Sequence, residues 1–210
     1  MTKQEKGVVD FVELLARTPA PPNSVNPWDY SYEKNEIRRQ NLKTYLREVL
    51  KNGPTVLLVG EAPGYRGSRR TGVPFSSEKL ILTHSFFTAH KEFAIEHTNS
   101  PIAEASASIV WKTLDELPAL PLMWASFPFH PHHPGNDLTN RAPTKEELVL
   151  GRESLTAIIA LSGVTQILAV GRAAERTLMD MEIPIAAHIR HPSHGGATQF
   201  REGLLQFTER

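Results

Sequence analysis

The chain has 210 residues, and 23 lysines and arginines balance 23 aspartates and glutamates, so the formal net charge is zero. A surface that binds a polyanion must therefore be a local patch. The absence of cysteine excludes disulfides, thiolate metal sites, cysteine nucleophiles and cysteine-ligated iron–sulfur clusters. The charged, amphipathic N-terminus and the lack of a long apolar run predict a cytoplasmic protein without a signal peptide or membrane helix.

Helical patterns and short apolar runs alternate along the chain. Two helices, over 7–17 and 33–50, are predicted before the first run, with a loop over 18–32 between them. Four runs are typical of strands buried on both faces: 55–60, 120–127, 165–171 and 183–191. Further helices are predicted over 78–97, 104–116, 144–162 (capped by Thr144) and 172–181. The alternation predicts an α/β fold with a parallel sheet covered on both faces.

Polar and glycine-rich residues cluster where three of the predicted strands end. The ligand site of a parallel sheet lies beyond the carboxyl ends of its strands, which makes these loops the candidate site. Glu61 follows the first strand, where a carboxylate must be solvated, paired or functional. The loop lacks the lysine and Ser/Thr of a P-loop and the GxGxxG spacing, which argues against ordinary nucleotide binding.

Three histidines, His130, His132 and His133, follow the second strand and are bracketed by prolines. Imidazole is a common zinc ligand, so a metal-dependent hydrolase is one alternative. No third ligand spacing is evident, and a solvated or DNA-facing loop is the favoured interpretation.

Four segments in order resemble the uracil-DNA glycosylase superfamily, in its GEAPG…HPS type without the iron–sulfur cysteines. They are Gly60–Gly64, Pro74-Phe75, Asn140–Thr144 and His191–Ser193, within a match that spans roughly 55–207. The resemblance implies a three-layer α/β/α fold around a four-stranded parallel sheet, in one domain over 1–210 with a helical extension at about 1–52. It also implies a monomeric, monofunctional glycosylase that hydrolyses the N-glycosidic bond of a deaminated base in DNA, with neither metal nor cofactor.

The resemblance also implies roles for individual residues. Glu61 would position water or stabilise the sugar cation, and His191 would donate a hydrogen bond to the departing base. Phe75 would stack on the extruded base, and Tyr65 would screen its substituents. The substrate-binding set is Gly60, Ala62, Pro63, Gly64, Tyr65, Phe75, Ser126 and Ser193, and the DNA-contacting set is Arg66, Arg69, Arg70, His194 and Gly195.

The sequence departs from the family pattern at two functional positions. Relatives usually carry an asparagine that recognises the uracil edge, where this chain has Ser126, or Ala125 after a one-residue slip. A serine cannot present the paired donor and acceptor of an amide. His194-Gly195-Gly196 replaces the usual wedge, which favours single-stranded or mismatched substrates. The alternative is a catalytically weak or inactive relative that binds single-stranded nucleic acid or a free base.

Overall fold

The computed structural model describes residues 1–208. Within that range the longer helices are α1 (Lys3–Arg17), α2 (Asn35–Lys51), α6 (Ala105–Leu114), α7 (Lys145–Ser162), α8 (Arg172–Asp180) and α9 (Ala197–Thr208). The short ones are α3 (Ser68–Thr71), α4 (Glu78–Thr83) and α5 (Ser85–Thr88). The strands are β1 (Ser24–Val25), β2 (Val56–Gly60), β3 (Leu122–Ala125), β4 (His130–Pro131), β5 (Gln166–Val170) and β6 (Ala187–Ile189).

The central sheet has four parallel strands in the order β3-β2-β5-β6. All four lie within the predicted apolar runs, and the inner ones are buried along most of their length. Strands with helices on both faces carry continuous apolar sequence, which explains why the runs were informative. The predicted α/β fold with a four-stranded parallel sheet is confirmed.

The N-terminal helices share the core of the sheet. The ring of Phe11 on α1 meets Trp124 of β3 edge to face, with centroids 5.0 Å apart, and Trp28 stacks on Trp124 at 5.9 Å. Helix α1 begins with a capping box between Thr2 and Glu5. Helix α1 and the segment that contains Trp28 therefore pack on β3.

The prediction of one helix over 78–97 is wrong beyond the first turns. His84 adopts an extended conformation that ends α4 and caps α5, and regular helix stops at Thr88. Further along, the side chain of Asn41 on α2 bonds both backbone groups of Ala94, at 3.0 and 2.8 Å. A tertiary partner thus takes the peptide groups that a helix would pair internally.

A small antiparallel sheet and the last helix were not predicted. β1 pairs with β4, joining the proline-rich segment 18–32 to the histidine-rich loop. In α7 the predicted Thr144 cap is present and forms a capping box with Glu147. Across residues 1–208, no helix is both long and apolar enough to span a membrane.

Candidate active site

A cavity of about 270 Å³ lies beyond the carboxyl ends of β2 and β6. Its size suits one small, flat ligand better than a nucleotide or a peptide. Nine predicted site residues line it: Gly60, Glu61, Ala62, Pro63, Gly64, Phe75, His191, Ser193 and His194. The fold therefore brings together segments that lie up to 134 positions apart, from Gly60 to His194.

Phe75 forms an aromatic wall of the cavity and is held in a strained backbone conformation. Its φ is +52°, in the left-handed region that L-residues rarely adopt. The ring lies so close to Gly60 that a β-carbon there would collide with it. The indole Nε1–H of Trp111 donates to the carbonyl oxygen of Phe75 at 2.9 Å. Such strain persists only where the surroundings enforce it, and it concentrates at functional sites.

His191 lines the cavity, and its contacts with Ser193 define which ring nitrogen carries the proton. The backbone N–H of Ser193 donates to Nδ1 of His191 at 3.1 Å, and the Ser193 hydroxyl lies 2.7 Å from the same atom. Because a backbone N–H can only donate, Nδ1 is an acceptor and the proton of the neutral ring resides on Nε2. Burial lowers the pKa of His191, and Arg190 and His194 lower it further, which favours the neutral ring.

Glu61 supplies a carboxyl group at the end of β2. Burial raises the pKa of Glu61, and attraction to Arg176 opposes this shift. No hydrogen bond or ion pair from residues 1–208 engages this carboxyl group, so it is available to a ligand or to water. An acid and an imidazole therefore line the same small cavity.

Ser126 is not a lining residue of the cavity. It is fully buried, and its hydroxyl donates to the carbonyl oxygen of Gly60 at 2.9 Å. Ala125, one residue earlier, lines the cavity instead. Side chains alternate along an extended chain, so the one-residue slip decides which of the two faces the site. The strand end thus offers a methyl group where a polar side chain was expected.

An open groove adjoins the cavity on the side of Tyr65 and Arg66. Gly195 and His194 also line it, and Asn140 accepts the Tyr65 N–H at 3.0 Å. The guanidinium of the exposed Arg66 stacks over the Tyr65 ring at 5.3 Å. Tyr65 therefore lines the groove rather than the cavity.

Arg69 and Arg70 are engaged within the protein. Arg69 bonds the backbone and carboxylate of Asp137, and Arg70 lies 3.0 Å from the buried carboxylate of Glu78. Only 18% and 17% of these two side chains are exposed. Among residues 1–208, Arg66 is thus the one arginine of the predicted basic patch that has no acidic partner.

The histidine cluster does not form a metal site in residues 1–208, where no group of three potential ligands is arranged around a common point. His130 is buried with Nδ1 2.8 Å from the carbonyl oxygen of Pro63 and Nε2 3.1 Å from that of Asp137. Nδ1 of His132 lies 2.9 Å from the carbonyl oxygen of His133. His130 thus connects Pro63, in the loop that lines the cavity, with Asp137.

Glu104 is a lining residue that the sequence interpretation missed. It immediately precedes α6 and lines both the cavity and the groove. Burial raises the pKa of Glu104 to about 7. The residue belongs to no motif, so the sequence carries no local signal that could have identified it.

The fold and cavity define an α/β protein with a small-ligand site at the strand ends, furnished with a carboxylate, an imidazole and an aromatic wall. The family model of the uracil DNA glycosylase superfamily matches residues 48–206. The chain therefore belongs to this superfamily, and membership supports a hydrolase of the DNA glycosylase type, with DNA as its partner.

A solved structure has the same fold over nearly the whole chain. The crystal structure of wild-type SMUG2 from Pedobacter heparinus superimposes with a TM-score of 0.74 at 18% sequence identity. The alignment covers 98% of this chain and 97% of that one. No curated protein sequence matches significantly.

Proposed function

We propose that this protein is a monofunctional DNA glycosylase that hydrolyses the N-glycosidic bond of a deaminated base. The observation that carries the proposal is that one small cavity is lined both by the Glu61 carboxyl group and by His191, whose Nε2–H is a donor. Breaking this bond places positive charge on the sugar and negative charge on the base. A carboxylate on the sugar side and a donor on the base side stabilise both charges, more strongly where water is excluded.

The other cavity residues support binding of an extruded base. The strained Phe75 provides a rigid aromatic face on which a planar base can stack. The adjoining groove, with Arg66 and Tyr65, supports contact with a single strand beside the base. Preference for single-stranded or mismatched DNA, a monomeric state and a cytoplasmic location remain predictions.

The test is base release from labelled oligonucleotides that carry uracil, hypoxanthine or xanthine, single-stranded and double-stranded, followed by alkaline cleavage at the abasic site. Removing the donor in His191→Ala is expected to lower kcat by about 100- to 1000-fold. Glu61→Gln is expected to lower it by about 100-fold or more. His188→Ala is the matched control, because His188 is exposed on β6 and does not line the cavity.

The outcomes separate the proposal from its rival. Base release that persists in both single variants would overturn the assigned mechanism. DNA binding that weakens with salt, without release of any of the three bases, would favour a binding protein that uses the same cavity.

A further inference from the structure

The side chain of Glu104 packs directly on the backbone of the loop after β2. A β-carbon added at Gly64 or at Gly67 would collide with its carboxyl oxygens. The residue also lines both the cavity and the groove. The two glycines thus make room for an acid at the junction between the cavity and the groove.

Within residues 1–208, the carboxyl oxygens of Glu104 have no hydrogen-bond or ion-pair partner. Two of the polar side chains that line the cavity with Glu104 are already engaged. Asn140 accepts a backbone N–H at 3.0 Å, and Arg141 pairs with Glu147 at 2.6 Å. Glu104 is half-buried and its carboxyl group reaches solvent in the cavity, so a ligand that displaces this solvent must itself supply a hydrogen-bond partner.

The segment that carries Glu104 is anchored close to it. The backbone N–H of Ile102 donates to Glu78 at 3.0 Å, and the Lys79 N–H donates to the carbonyl oxygen of Ile102 at 3.1 Å. Glu78 is itself fully buried and paired with Arg70 at 3.0 Å. The backbone is therefore fixed two residues before Glu104, which preorganises its carboxyl group.

We propose that Glu104 binds the substrate, with its carboxyl group hydrogen-bonded to the edge of the base held in the cavity. The inference rests on the proposed function. A carboxylic acid presents a donor and an acceptor side by side. Uracil, hypoxanthine and xanthine all carry a ring N–H next to a carbonyl, which is the complementary pair. Ala125 at the end of β3 cannot supply such a pair.

The protonation state of Glu104 makes this binding dependent on pH. Burial raises its pKa to about 7, so the neutral acid is substantially populated near neutral pH. The other ionisable groups that line the cavity and groove are Glu61, Tyr65, Arg66, Arg141, His191 and His194. Burial raises the pKa of Glu61 and lowers that of His191, and both groups act in their deprotonated forms at higher pH. We therefore expect kcat/KM to fall at alkaline pH because Glu104 loses its proton, and to fall at acid pH because Glu61 and His191 each gain one.

The experiment measures kcat/KM for base release from single-stranded DNA between about pH 5.5 and 8.5, a range that brackets the raised pKa of Glu104, which is about 7. Glu104→Gln keeps a donor and an acceptor but does not titrate. We expect kcat/KM of this variant to stay within several-fold of the wild-type value at pH 6 and not to fall at alkaline pH. Glu104→Ala is expected to raise KM by roughly 10- to 100-fold, because two hydrogen bonds are lost. Glu202→Gln, at an exposed glutamate of α9, is the matched control.

A wild-type KM and pH profile in Glu104→Ala would overturn the inference, provided that circular dichroism shows the variant to be folded. Calorimetric titration with free uracil, hypoxanthine and xanthine separates this result from failure of the proposed function. If the wild type binds a base without releasing any from DNA, hydrolysis is disproved. Binding that is kept in Glu104→Gln and lost in Glu104→Ala would still support the inference. If the wild type neither releases nor binds any of the three bases, the inference fails with the proposed function.

Discussion

Replacing Glu104 by glutamine should stabilise the protein above neutral pH. The folded state raises the pKa of this carboxyl group from its ordinary 4.5 to about 7. Between these values the folded protein binds more protons than the unfolded chain, so stability falls as pH rises. The full shift corresponds to about 3 kcal/mol. Since the group reaches solvent in the cavity, screening reduces the expected penalty at pH 8 to about 2 kcal/mol.

The assay is urea denaturation of the wild type and Glu104→Gln at several pH values from about 4.5 to 8, with the free energy of unfolding extrapolated to water. Other groups with shifted pKa values, including Glu61, His130 and His191, are present in both proteins. Their contributions cancel in the difference between the two curves. Glu202→Gln should follow the wild type throughout, because that glutamate is exposed.

The two stability curves are expected to converge near pH 4.5 and to separate by about 2 kcal/mol at pH 8, with the variant more stable. Parallel curves would refute the reasoning, because they would mean that Glu104 carries no desolvation penalty in the folded state. A variant less stable than the wild type at pH 8 would instead indicate that the carboxylate makes a favourable contact.

Three further substitutions test other parts of the structure. Ser126→Ala should leave base preference unchanged and lower the free energy of unfolding by about 1 kcal/mol in urea, because its hydroxyl bonds only a buried carbonyl. A changed preference would make Ser126 a substrate contact. Arg66→Ala should lower the salt slope of single-stranded DNA binding, measured by fluorescence anisotropy, by about 1. An unchanged slope would remove Arg66 from the interface. Asn41→Ala should lower the free energy of unfolding by about 3 kcal/mol, because its side chain bonds the backbone of Thr71 and Ala94. A smaller loss than that caused by Gln40→Ala would contradict this.

The sheet was predictable because its strands are buried on both faces. Burial of that kind demands short, continuous apolar runs, and each of the four runs contains one strand. Thr144 and Glu147 likewise produce a capping box from a local pattern. The loops after these strands were predictable as the candidate site, because parallel strands bring their carboxyl ends to one edge.

Other features depended on partners distant in the chain. The pattern over 78–97 is compatible with a helix, yet Asn41 takes the peptide groups of Ala94. In the sequence, Arg69 and Arg70 predict a basic patch, but in the folded chain they lie against the carboxylates of Asp137 and Glu78. Local sequence cannot show whether a charge is free or paired, since the partner belongs to another element.

The sequence by itself determined the four strands of the parallel sheet and the motif residues at their ends, since periodicity and motifs are local properties. Only the tertiary structure decided that Ala125 rather than Ser126 lines the cavity, because a shift of one residue reverses the side chain's direction. It also placed Glu104 against Gly64. An isolated glutamate has no signature of its own, and its chemistry arises from the burial and the neighbours that folding provides.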